Sequence, residues 1–290
     1  MLNKLLVLLT ILFGYESYTQ QNAEYMGTIK LNDTSYISYK IDFELKNDSI
    51  SGYSLTDLGG SHETKSILKG SYNSNTKEFR FHEENIIYTK SPIVQDDFCF
   101  IHFRGKVRNI HDIEEIQGNF EGRYTDGQKC IDGEIRMASI QKLMKKAGKL
   151  DKKIQRTNKV KPEIKEKINL IKSLDTLSMN IIAKDENLNI LTNDQVVEFT
   201  IFDAGKEDGD MIDLIINGEH HFKDFTVTKE KKVITLKLNK EQTKIEVVAL
   251  NVGTSAPNTV KIQFKDSRNF VTTLTNLKEG EKAAVTIVRQ

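Results

Sequence analysis

Four acidic residues, Asp203, Glu207, Asp208 and Asp210, crowd one short stretch, Asp-Ala-Gly-Lys-Glu-Asp-Gly-Asp-Met-Ile-Asp-Leu-Ile-Ile-Asn-Gly, over residues 203–218. Carboxylates at such spacings can turn several oxygens toward one hard cation, and calcium, which takes roughly six to eight oxygen ligands, is the cation they suit. The spacing departs from that of an EF-hand loop, which wants acidic residues at alternate positions and a glutamate at the twelfth. The same residues also make an ordinary tight turn, with Gly209 supplying positive φ and the aspartates accepting from local amides. Both readings stand on sequence alone. His220 and His221 are adjacent, so on a strand they face opposite ways and do not chelate one ion together. Glu83 and Glu84 beside His82 have the composition of an acid and base pair, yet the same alternation separates them. No G-x-S-x-G, H-E-x-x-H or phosphate-loop pattern occurs, so no residue is nominated as catalytic and the chain is expected not to be an enzyme.

The chain has two cysteines, Cys99 and Cys130, both in strand-like sequence. In an oxidising compartment they are expected to form a disulfide, with free buried thiols as the alternative; without paired histidines nearby, a structural zinc site is not expected. Tyr39, Phe43, Phe79, Phe81, Phe98, Phe100, Phe120 and Tyr124 recur at spacings that place them on one face of successive strands. Core filling is the default for such rings. In a wide barrel, Tyr39, Phe43, Phe79, Phe81, Phe100 and Phe120 would instead line a cavity for an apolar ligand.

The elements that must position these residues fall into four stretches. Residues 1–19 read as a signal peptide, with Lys4 ahead of an apolar core too short to span a bilayer. Residues 20–138 alternate polar and apolar side chains between turn signals, as in Ile37-Ser-Tyr-Lys-Ile-Asp-Phe-Glu-Leu45, and predict about eight antiparallel strands in a meander that closes into a barrel. Glycines at 52, 70, 105, 118, 122 and 133 fall where a curled sheet needs bends. Residues 139–178 change period: Ile140, Leu143, Met144, Ala147, Leu150 and Ile154 share a helical face, and a second helix is predicted from Pro162, with Ile164, Ile168 and Ile171 on one side. Eleven lysines and one arginine against three acids give residues 138–172 a net charge of +9 in a chain whose formal total is +1. This basic connector is read as a soluble spacer, or as a segment that meets an anionic surface. Nucleic acid is not an expected partner, because no aromatic residue interleaves the lysines, and no later segment is apolar for long enough to be transmembrane. Residues 179–290 return to the two-residue period around the hairpin signal Asn217-Gly218 and predict a β-sandwich of immunoglobulin-like size.

Two motifs in this last stretch, Asp208-Gly-Asp-Met-Ile-Asp-Leu-Ile-Ile-Asn-Gly218 and Ala249-Leu-Asn-Val-Gly-Thr-Ser-Ala-Pro-Asn-Thr259, resemble those of a C-terminal β-sandwich module in secreted proteins of Bacteroidetes-type bacteria. The resemblance covers about residues 196–290. It implies an envelope or extracellular accessory protein and carries no activity with it. Asp48-Ser49-Ile50 and Asp175-Thr176-Leu177 resemble the acceptor pattern for O-glycosylation in such bacteria. The expectation is therefore an exported, periplasmic or extracellular, non-enzymatic binding or scaffold protein that recognises an envelope protein or glycan, with no cofactor beyond calcium. The alternatives are a small-ligand carrier with a hollow barrel and an envelope hydrolase without a recognisable motif.

Overall fold

The computed structural model describes residues 21–290 apart from 33, 94–97, 111–112, 158–179, 204, 206 and 255. The expected signal peptide, the second helix predicted from Pro162 and the Asp175-Thr176-Leu177 pattern lie outside the described residues. The first eight strands are β1 (Gln21–Lys30), β2 (Tyr36–Lys46), β3 (Ser49–Thr56), β4 (Thr64–Asn73), β5 (Glu78–Thr89), β6 (Phe100–Ile110), β7 (Ile113–Arg123) and β8 (Lys129–Ser139). Each pairs antiparallel with the next, and β8 returns to β1 with Ile135 opposite Ile29, so the meander closes into an up-and-down barrel. Alternation sorts the side chains: Tyr39, Ile41 and Phe43 of β2 are buried while Glu44 and Lys46 are not, as a strand with one wet face requires. Gly70 sits where neighbouring strands of the wall approach closely, since a side chain there would run into the Arg80 carbonyl on β5.

Helix α1 (Ile140–Arg156) leaves the end of β8. Ten further strands follow: β9 (Ile181–Ile182), β10 (Asn187–Thr192), β11 (Val196–Phe202), β12 (Met211–Ile216), β13 (Glu219–Thr226), β14 (Lys232–Lys237), β15 (Gln242–Ala249), β16 (Lys261–Lys265), β17 (Phe270–Thr275) and β18 (Lys282–Arg289). They form one sheet in the order β14-β11-β16-β17-β9 and a run β13-β12-β15-β18-β10, and the buried residues of both belong to one core. Asn217 (φ 53°) and Gly218 (φ 87°) make the tight β12–β13 turn that the Asn-Gly signal predicts.

Strand β5 does not end with the barrel: it runs on to Thr89 and leaves the wall. Ile87 and Tyr88 enter the second core, and Tyr88 and Thr89 pair with Ile190 and Asn189 of β10. Barrel and second part therefore share one thirteen-stranded sheet rather than meeting only through a connector. The polar groups trapped at this junction are paired. The Glu63 carboxylate accepts from the Tyr88 hydroxyl (2.9 Å) and the Gly59 amide (2.6 Å). The buried Lys90 ammonium donates to the Ile181 carbonyl at 2.6 Å, 3.6 Å from a Glu186 oxygen.

A second buried carboxylate ties the barrel wall. Glu83, on β5, accepts from Tyr39 Oη at 2.8 Å, Ser54 Oγ at 2.6 Å and the Ile101 amide at 2.9 Å, and so joins β2, β3 and β6. Burial pushes its pKa above the ordinary carboxylate value despite these donors. The folded state then holds a proton that the unfolded chain has released, so stability falls as pH rises from the ordinary value through the raised one. Replacing Glu83 by Gln is expected to flatten that fall in urea midpoints measured across the window. Glu83→Ala, which strands two hydroxyls and an amide, is expected to cost about 3 kcal/mol at neutral pH; midpoints equal to wild type would remove Glu83 as a tie.

Candidate functional site

The acidic loop between β11 and β12 is held mainly by backbone amides. Asp203 Oδ1 accepts from the Gly205 amide (2.6 Å), Glu207 Oε1 from the Lys229 amide (2.5 Å) and Asp210 Oδ2 from the Thr259 amide (2.9 Å). Gly209 adopts φ 91°, as the turn reading expects. Among the described residues no three histidine, cysteine, aspartate or glutamate side chains stand together as a metal-binding group.

The two motifs that carry the family resemblance are clasped together. Asn251 Oδ1 accepts from the Met211 amide (2.8 Å), and its amide nitrogen donates to the Gly209 carbonyl (3.0 Å). Asn258, fully buried, donates to the Met211 and Asn251 carbonyls at 3.2 and 3.0 Å. The Thr254 amide donates to the Asp208 carbonyl at 3.0 Å. The Asp-Gly-Asp strand entry and the Asn-x-Gly…Pro-Asn-Thr loop are thus two halves of one polar lock at one end of β12. Inside it Asp210 is 3% exposed, and Asp210 Oδ1 and Asn258 Oδ1 are buried without a hydrogen-bond partner. Burial raises the Asp210 pKa against the Thr259 amide, and Asp208 and Asp203 add to the rise.

The aromatic residues named as cavity candidates come together inside the barrel. Tyr39, Phe43, Phe79, Phe81 and Phe120 are all buried, whereas Phe100 is half-buried. Phe81 stacks on Phe103 at 4.9 Å between ring centroids, Phe43 lies 5.3 Å from Phe79, and Phe79 meets Phe81 edge-on at 6.0 Å. Rings at these separations pack as a core does. Phe98 and Tyr124 lie outside the buried cluster.

Cys99 and Cys130 form a disulfide with a Cα separation of 6.1 Å. It passes over β7 at Gly122, where any side chain would strike the Cys99 sulfur. His220 stands 3.6 Å from an Asp213 oxygen, and His221 contacts Phe222 edge-on, so the two histidines are used separately.

Two surface features escaped the sequence. A cleft of about 400 Å³ lies where the barrel wall meets the β16–β17 turn, between Asp42, Glu44, Tyr53 and Lys69 on one side and Arg268 and Asn269 on the other. The turn is firmly built. Burial opposes ionisation of Asp266, but bonds from Thr192, Arg268 and Asn269 outweigh it and hold the carboxyl below its ordinary pKa. The second feature, on the outer face of β5 and β6, sets Arg80 opposite Arg104 and His82 opposite His102. Only pairing registers reveal either one; the basic residues of β6, at alternate positions 102, 104, 106 and 108, were the legible part of the signal.

In comparisons with known proteins, no family model, no curated protein and no solved structure matches the chain. Replacing Asn258 by Ala removes two donors from the polar lock and is expected to cost about 2 kcal/mol in urea unfolding. A midpoint unchanged from wild type would show that the lock adds nothing to stability.

Proposed function

We propose that this chain is an exported, non-enzymatic binding protein that recognises an envelope or extracellular component, a glycan in preference to a protein, through the cleft at the junction of its two parts. The observation that carries this reading is the cleft itself. Carboxylates (Asp42, Glu44), an amide (Asn269), cations (Lys69, Arg268) and the 37%-exposed Tyr53 ring converge on one pocket of about 400 Å³. Such a mixture of donors, acceptors and one aromatic suits a polyhydroxylated ligand. Its walls come from two parts joined by a shared sheet, so the site is pre-organised. A disulfide and an apolar leader sequence support export. Strands β9–β18 are read as an immunoglobulin-like accessory module, supported by their two sheets around one core. The basic segment 139–172 serves as a charged connector, and contact with an anionic surface is a second use its charge supports. The stacked rings inside the barrel favour this reading over that of a carrier.

Titration calorimetry against a panel of envelope polysaccharides and peptidoglycan fragments tests the proposal. Binding by at least one member is expected, weakened tenfold or more by Arg268→Ala and by Asp42→Asn; a panel without binders, or variants that bind as wild type does, would overturn it.

Calcium at the acidic loop is the structural support we propose, because Asp210 Oδ1 and Asn258 Oδ1 are buried acceptors still without a donor and Asp203 and Asp208 bear electrostatically on Asp210. Full-length protein is expected to release or absorb heat on titration with millimolar calcium and to melt at a higher temperature with it, and Asp210→Asn to lose both responses. No heat and no rise in melting temperature would sink the calcium reading.

A further inference from the structure

On the outer face of β5 and β6, two consecutive cross-strand pairs oppose like with like. Arg80 faces Arg104, and two residues on, His82 faces His102, with imidazole centroids 5.8 Å apart and planes within 16°. Like charges directly opposite each other destabilise an antiparallel pair, so fold stability does not account for this choice. One carboxylate serves both guanidiniums: Glu78 Oε1 accepts from Arg80 at 2.9 Å and from Arg104 Nε at 2.6 Å. Each guanidinium has five N–H donors, so most of them remain uncommitted. The Arg104 side chain is 71% exposed and that of Arg80 51%.

The quartet borders a groove of about 660 Å³ whose far wall carries Lys69 and the hydroxyls of Ser49, Ser51 and Ser71. Gly70 lines the groove between the two walls, where the lack of a side chain lets β4 approach the Arg80 carbonyl closely. Fork-shaped guanidiniums, hydroxyls and an ammonium facing a recess form the donor set that recognises tetrahedral oxyanions. A recess of this size admits a chain of residues, whereas a flat bilayer surface meets protruding cations.

We propose that this groove binds the sulfate or phosphate esters of an acidic polysaccharide, with Arg80 and Arg104 as the paired contacts. The site lies apart from the junction cleft, except that Ser51 and Lys69 border both, and it does not depend on the function proposed for that cleft. His102 is held below its ordinary pKa by burial, then by His82 and Arg123, against the pull of Glu121. Glu84 lies 3.8 Å from His82 and 2.6 Å from Lys69. An anion in the groove adds opposite charge beside His102, so binding takes up protons and strengthens as pH falls from 8 to 6.

Dextran sulfate, neutral dextran, inorganic sulfate and phosphatidylglycerol vesicles, titrated into the full chain, test the proposal. Dextran sulfate is expected to bind with a steep salt dependence, tenfold more weakly after Arg80→Gln with Arg104→Gln, and more tightly at pH 6 than at pH 8. His82→Asn with His102→Asn is expected to remove the pH dependence. A triple change on α1, Lys145→Gln, Lys149→Gln and Lys152→Gln, and the cleft variant Arg268→Ala are expected to leave binding within twofold. Inorganic sulfate should bind far more weakly, at the same arginines. Loss of binding in the α1 triple variant but not in the arginine pair, tighter binding to vesicles than to polysaccharide, or equal binding of neutral dextran would overturn the proposal.

Discussion

One strand shared by the barrel wall and the second core is the constraint on which the rest of this structure depends. The first part of β5 closes the barrel against β6, and its last four residues, Ile86–Thr89, are all buried. The change of role coincides with Asn85 at φ 43° and with register shifts around Ser66 on β4, which let the strand turn out of the barrel wall. Burying Ile87 and Tyr88 in the second core is favourable, but it takes Glu63 and Lys90 out of water with them. Ionised groups so placed are tolerated only when partnered. Here Tyr88 and Gly59 partner the carboxylate, and Ile181 and Glu186 the ammonium. The partners come from both parts of the chain, so moving one part against the other would leave buried charge unpaired.

The same logic operates inside the barrel at smaller scale. Eight strands enclose an interior just wide enough for side chains to fill, and here they fill it with rings in mutual contact. Glu83 replaces one apolar position in that wall. Its three donors come from β2, β3 and β6, so a carboxylate that is unfavourable alone becomes a cross-strand fastener once the register is correct. A one-residue slip of β2 or β3 would move its hydroxyl to the opposite face. The group therefore adds selectivity for one register as well as cohesion.

Local patterns made part of this architecture legible in the sequence. Two-residue alternation located the barrel strands, Asn217-Gly218 marked its hairpin, and the two cysteines marked the bridge. Relations between distant residues were not legible. Ile-Ile-Tyr at 86–88 replaces the alternation with a continuous apolar run, the signature of a strand buried on both faces, but a run so short does not by itself name a partner strand. The partner, β10, is no plainer in the sequence, because its buried run Leu188–Thr192 includes Asn189, which donates across the junction to the Ser91 carbonyl at 2.9 Å. Glu83 read as one of two adjacent carboxylates until its partners, up to 44 positions away, were in place. The opposed arginines and histidines are likewise invisible until β5 and β6 are aligned.

The acidic loop illustrates why composition and geometry must be weighed together. Its carboxylates attracted a cation reading because four of them lie within eight residues. In the fold, Asp203, Glu207 and Asp210 each accept a backbone amide, which stabilises a turn whatever ion is present. The exceptional atoms are Asp210 Oδ1 and Asn258 Oδ1, acceptors buried by the clasp that Asn251 and Asn258 form over the strand entry. An unpaired buried acceptor costs on the order of 1–3 kcal/mol, so two in one lock are a standing demand for positive charge or a donor. A proton on Asp210, favoured by its raised pKa, answers part of that demand. A cation answers more, because it neutralises the field of Asp208 and Asp203 as well. The paired motifs are thus coupled through the hydrogen bonds that Asn251, Asn258 and Thr259 make with Gly209, Met211 and Asp210, rather than through the number of acids in the loop.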